Sequence, residues 1–147
     1  MSEQDNRRMA EEAFAALNAH DLDRYTMNLD ASYVWEMETL PAPVRGPDGA
    51  RQGLETYFKA FPDLRFELEQ VITTQDTVVT RWRIRGTQKG EFVGIAPTNK
   101  TINIQGCSIT EVRNGKIVRS RTYSDNATLF QQLGVLKTGK KMAAGER

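Results

Sequence analysis

Residues 65–125 contain four segments, RFELEQVITT (65–74), DTVVTRWRIRGT (76–87), KTINIQGCSITEV (100–112) and GKIVRSRTYSD (115–125), each rich in Val, Ile, Thr and aromatic residues and punctuated by turn residues. They read as four strands. Gln75-Asp76 and Asn114-Gly115 mark tight turns, so consecutive strands pair antiparallel. Strand alternation puts Val78, Thr80, Trp82 and Ile84 on one face and Val79, Arg81, Arg83 and Arg85 on the other. The apolar set faces inward, and the arginine row is solvated or meets acidic residues of another strand or subunit. Gly106 interrupts its strand and is placed to allow a β-bulge that bends the sheet.

Working outward, the N-terminal half is helical. Residues 3–19 place Met9, Ala10, Ala13, Phe14 and Leu17 on one side of an amphipathic helix that begins with a Ser2-x-x-Asp5 capping pattern. Asp21 caps a short second helix, DLDRYTMNL, and Tyr33-Val-Trp-Glu-Met37 has strand character. After the loop TLPAPVRGPDG, Pro47 suits the first turn of a third helix whose apolar face carries Ala50, Leu54, Tyr57, Phe58 and Phe61, with Pro62-Asp63 ending it. A last short helix, NATLFQQLG, closes on Gly134. Helices followed by a curved antiparallel sheet predict an α+β fold in which the bent sheet wraps the N-terminal helices as a cone, and the open end of the cone is a pocket.

Composition sets the outer bounds. At 147 residues the chain has the size of one domain, and 39% hydrophobic with 27% charged residues is ordinary for a globular protein, which excludes a wholly disordered chain. The net charge of +1 gives no reason to expect nucleic acid or a membrane surface as partner. From Lys137 onward the sequence is basic with almost no apolar face, so the expected organisation is one domain over 1–136 and a flexible basic tail over 137–147. The polar start MSEQDNRRMAEE has no signal-peptide core, which predicts a cytoplasmic location. One Cys and one His exclude cysteine-cluster and multi-histidine metal sites, so no metal is expected. Cys107 is expected as a buried inert thiol and His20 as a surface residue. Glu36 and Glu38 share a strand face, where a solvated or ion-paired edge is the simpler account than a carboxylate pair. The loop Gly94-Ile-Ala-Pro-Thr-Asn-Lys-Thr101 is not a phosphate cradle, because Pro97 removes a donor and a strand follows it.

Three stretches taken together, VRGPDG before a helix ending in FPDLRF, then GTQKGEFVGIAPTNKTI, then NGKIVRSRTYSDNATLFQQLG, resemble the SnoaL-like polyketide cyclase family of the nuclear transport factor 2-like superfamily, from about Trp35 to Leu136. The resemblance implies a cone with a deep apolar pocket, commonly dimeric through the outer sheet face. It further implies a cofactor-independent enzyme that acts on a hydrophobic, polyketide-like carbonyl compound by proton abstraction and aldol-type cyclisation or isomerisation. The alternative is a non-catalytic protein that uses the same cone to bind a small molecule. By position the family's general acid/base falls on Asp125, whose pKa is expected to be raised by apolar and aromatic walls, with Tyr123 its nearest same-face neighbour. Read from the residues alone, Asp125 is more simply a helix N-cap for NATLFQQLG, and only the resemblance brings the base reading level with it. Trp35, Phe58, Trp82, Gln88, Ile104 and Tyr123 are the candidate substrate contacts. Gln88 stands where many members have His, and Arg119 and Arg121 stand where many have Glu and Trp. The outer face, with Arg81, Arg83 and Arg85 beside Glu67, Glu69 or Glu111, is expected to form a homodimer.

Overall fold

The computed structural model describes residues 2–136; the basic tail predicted for 137–147 lies outside the described residues. Helix α1 (Glu3–Asn18) opens with the capping box read from the sequence: Ser2 Oγ accepts from the Asp5 amide at 3.0 Å while Asp5 Oδ2 accepts from the Ser2 amide at 3.4 Å. Asp21 caps α2 (Leu22–Thr26) by accepting from the Arg24 amide. Strand β1 (Leu29–Met37) begins four residues before the segment expected, and the expected loop TLPAPVRGPDG contains a two-residue strand β2 (Val44–Arg45) that pairs with it. Helix α3 (Gly46–Ala60) carries Pro47 in its first turn. Strands β3 (Arg65–Thr73), β4 (Thr77–Thr87), β5 (Thr101–Arg113) and β6 (Lys116–Ser124) follow, then α4 (Asn126–Gln132), with Gly134 at φ 81° just beyond it. No helix among the described residues is long and apolar enough to cross a membrane.

The six strands form one curved, unclosed sheet in the order β2-β1-β6-β5-β4-β3. The pairs β3–β4, β4–β5 and β5–β6 are antiparallel as expected, the last through Asn114 (φ 51°) and Gly115 (φ 78°). The purely antiparallel sheet is corrected at one place: β1 runs parallel to β6, because the chain crosses over through α3 and three strands before β6 arrives. The sheet is therefore mixed.

Two of the sheet's three register shifts decide which side chains face the helices. In β6, Val118 is an extra residue between Ile117, opposite Val112, and Arg119, opposite Glu111. Unbroken alternation would put Ile117 on one face with Arg119 and Arg121; the bulge separates them, so that Ile117 is buried in the core and beyond it Ser120, Thr122 and Ser124 turn inward. In β3 the extra residue is Glu69, which reaches both Arg81 (2.9 Å) and Arg83 (3.4 Å), while Glu67 pairs with Arg85 at 3.4 Å. The arginine row is thus matched by the neighbouring strand of the same chain. Gly106 is not a bulge, since β4 and β5 pair without interruption through Trp82 and Gly106. It is glycine because a Cβ there would overlap the Trp82 indole.

Candidate functional site

Between α1, α3 and the concave face of the sheet lies a cavity of about 150 Å³, lined along β5 from Ile104 to Val112 and along β6 by Ser120, Thr122 and Ser124. Its walls are apolar: Met9, Ala13, Phe14 and Leu17 from α1, Leu54 from α3, and Val78, Trp82 and Ile84 from β4. None of the lining side chains is a carboxylate, an amine, a guanidinium, an imidazole or a thiol. The ionisable lining groups are Tyr25, Tyr33 and Tyr57. Burial pushes Tyr25 up to about 12 against the hydrogen bond with Tyr33, and burial raises Tyr33 and Tyr57 as well. All three are neutral phenols at neutral pH.

The cavity's polar feature is a chain of neutral groups across four strands. Trp35 Nε1 donates to Thr122 Oγ1 at 3.0 Å, Trp82 Nε1 donates to Ser108 Oγ at 3.0 Å, and the two hydroxyls lie 3.4 Å apart. An indole N–H is a donor only, so each hydroxyl oxygen already accepts a bond. Two hydroxyl protons remain, and the contact between Ser108 and Thr122 uses at most one. At least one O–H is therefore free to donate to a ligand oxygen. Glycines set the indoles: a Cβ on Gly53 of α3 would stand 2.8 Å from Trp35 Cζ3, and Gly106 plays the same part under Trp82.

The expected site residues divide. Trp35, Trp82 and Ile104 line the cavity. Phe58 does not; its ring stacks on His20 at a centroid distance of 4.1 Å, with His20 Nε2 bonded to the Leu64 carbonyl. Gln88 is fully buried, but its amide is spent on the 90–98 loop: Nε2 donates to the carbonyls of Gly90 (3.1 Å), Ile95 (3.0 Å) and Ala96 (3.3 Å), and Oε1 accepts from the Thr98 amide (3.2 Å) and hydroxyl (2.7 Å). Tyr123 is 47% exposed on the outer face.

Asp125 is exposed at the cavity's rim, between the lining residues Ser124 and Asn126. Its carboxylate turns to α4, where Oδ2 accepts from the Thr128 hydroxyl at 2.7 Å and Oδ1 from the Thr128 amide at 3.1 Å. Those bonds hold its carboxyl below the ordinary value, the opposite of the rise expected from apolar walls. The N-cap role is the one its contacts describe. Cys107 is half-buried on the outer face rather than buried, because its odd position in β5 points away from the helices. Glu36 is ion-paired with Arg119 (3.0 Å) and Arg121 (3.1 Å), and Glu38 lies beyond the end of β1.

Sequence reasoning passed over Ser108, Thr122, Tyr33 and Asn6. The signal was available in part: Ser108 has the same parity as Ile102 and Ile104, and Asn6 falls on the stripe of Ala10, Ala13 and Leu17. Small polar residues on an inward face mark a lined cavity instead of a dry core. Among the described residues no cluster of three or more His, Cys, Asp or Glu side chains is placed to hold a metal ion.

Comparison with known proteins places this architecture. No curated protein matches the sequence closely enough to count as a relative. Among solved structures, AclR from Streptomyces galilaeus, which carries a provisional hydroxylase assignment, superimposes with a TM-score of 0.87 at 25% identity over 99% of this chain and 95% of its own. IdmH from Streptomyces antibioticus, with a provisional polyketide cyclase assignment, gives 0.76 at 28% identity over 88% and 98%. A protein of Catenulispora acidiphila with a ketosteroid isomerase-like fold gives 0.75 at 12% identity over 86% and 92%, a likeness of fold alone. The sequence profile of SnoaL-like polyketide cyclases matches residues 5–133, nearly all of the described chain, and with the cone fold this establishes that the chain belongs to the SnoaL-like polyketide cyclase family.

Proposed function

We propose that the cone binds a neutral, hydrophobic carbonyl compound of polyketide type and promotes its aldol-type cyclisation or isomerisation without a cofactor. Family membership supports a cyclase- or isomerase-type role. The observation that carries the finer reading is the chain Trp35–Thr122–Ser108–Trp82, in which the indole donors leave at least one hydroxyl proton unused on residues that line an apolar cavity. A hydroxyl donor aimed at a carbonyl oxygen strengthens its bond as that oxygen gains enolate charge, and it does so in a site where apolar walls keep the dielectric low. The walls fold the flexible substrate so that its α-carbon meets the second carbonyl. Water at the rim of the cavity takes the α-proton as the enolate forms, and the alkoxide produced by ring closure takes a proton back from that water, so the aldol step is proton-neutral.

The same cavity supports a second reading, a non-catalytic binding protein, because none of its lining side chains changes charge near neutral pH. An aryl-substituted 1,5-diketone separates the two: its ring closure gives an aldol that loses water to a conjugated enone, and the rise of enone absorbance follows the reaction. Acceleration above buffer is expected, with kcat/KM lowered roughly 10- to 100-fold in Thr122→Val and in Ser108→Ala. Binding of the diketone with no acceleration assigns the cone to binding alone.

A further inference from the structure

Asn6 has no solvent exposure and lines the cavity near its Val112 end. Its Nδ2 is fully used, donating to the backbone carbonyls of Thr74 (2.9 Å) and Gln75 (3.1 Å) at the β3–β4 turn. Carbonyl oxygens only accept, so these two bonds fix which end of the amide is which. They also hold Oδ1 in place, where it is buried with no hydrogen-bond partner among the described residues. Its surroundings are apolar: Met9, Ala10, Val78 and Val112 pack together at this end. A buried acceptor left unpaired is unfavourable, and the two turn bonds leave Oδ1 unpaired on a residue that lines the cavity.

We infer that Asn6 is a specificity residue whose Oδ1 accepts a hydrogen bond from a ligand hydroxyl, a phenol or an enol. The cone then prefers neutral carbonyl compounds that carry a hydroxyl group away from the carbonyl. This rests on the reading that the cone holds a carbonyl compound. The two recognition features are complementary in sign: Thr122 and Ser108 offer a proton to the carbonyl oxygen, and Asn6 offers a lone pair to the hydroxyl further along β5 toward Val112. Neither feature offers charge, so carboxylates and amines of the same shape are disfavoured by desolvation.

Isothermal titration calorimetry tests this with two probe sets: 1-tetralone against its 5-, 6- and 7-hydroxy isomers, and benzylideneacetone against 4-hydroxybenzylideneacetone, which separate the two oxygens by different lengths. At least one hydroxylated probe is expected to bind roughly 3- to 10-fold more tightly than its parent, the worth of one neutral hydrogen bond. That preference is expected to fall to near unity in Asn6→Ala and Asn6→Val. Parents that bind while no hydroxylated probe binds better overturn the role of Asn6 and leave the carbonyl-binding cone standing, as does a preference that survives both substitutions. No binding by any probe overturns the cone reading itself, and this inference with it. If both variants unfold for want of the turn bonds, NMR of the Asn6 side-chain amide in the unaltered protein decides: its resonances shift with the hydroxylated probe and not with the parent if Oδ1 is the acceptor, and identical responses refute it.

Discussion

Asp125 shows how the same residue type at one position can be read as a base or as a cap, and its contacts are those of the cap. A carboxylate bonded twice to Thr128 is stabilised in its charged form, which makes it a poorer proton acceptor than a free one. Asp125→Asn is therefore expected to leave diketone turnover within about threefold, since Asn caps helices nearly as well. A fall by a factor of about 10² to 10⁴ in a folded variant would return the proton transfer to this carboxylate. The pH dependence has a definite sign. The folded pKa lies below the unfolded value of about 3.9, so the contribution to stability is complete above that value and is lost as pH falls through the folded pKa. Acid unfolding followed by circular dichroism is expected to be shallower for Asp125→Asn below about pH 4, whereas an unchanged acid limb would show that the Thr128 bonds do not persist in solution.

Among the elements, the strands position the site through irregularities more than through regular pairing. The bulges at Glu69 and Val118 reverse which residues face the helices, and without the second one Thr122 would share the outer face with solvent. Gly106 and Gly53 let a strand and a helix approach the flat faces of Trp82 and Trp35, the two tryptophans of the chain. A methyl group at 106 has no room unless Trp82 moves. Gly106→Ala is expected to destabilise the fold by about 1–3 kcal/mol, the usual cost of overpacking, and to shift tryptophan emission as Trp82 loses its bond to Ser108. Unchanged stability and emission would mean that the indole is not held against β5.

For the molecule as a whole, the outer sheet face is the largest feature that the cavity does not use. Its guanidinium groups are already matched within the chain, Arg81, Arg83 and Arg85 by Glu67 and Glu69, and Arg119 and Arg121 by Glu36. Glu67 and Glu69 take up the Arg81–Arg85 row, and Glu111, the third acid expected there, forms no ion pair among the described residues. Between them lie Ile72, Ile109 and Tyr123, exposed by 53%, 40% and 47%. A face neutralised in this way can pack on a second copy without burying unpaired charge. The expected species is a dimer by sedimentation equilibrium at micromolar concentration, weakened by Arg83→Glu, which repels Glu69. A single chain mass across the concentration range would remove the dimer.

The sequence by itself determined the types of every element but the two-residue β2, the hairpin order from β3 to β6, the inward face of β4 and the caps at Ser2, Asp21 and Asp125, because each depends on neighbours within a few residues. The family was legible as well, from the order and spacing of three stretches. Only the tertiary structure decided that β1 lies parallel to β6 and that Trp35 meets Thr122 across 87 residues of chain. Periodicity assigns a residue to a face, but a one-residue bulge reverses every face beyond it, and nothing local marks Val118 as that residue. The site was obscured for the same reason. Its members are ordinary Ser, Thr, Trp and Asn residues, which acquire a chemical role when distant segments bring donors and acceptors together around an apolar space.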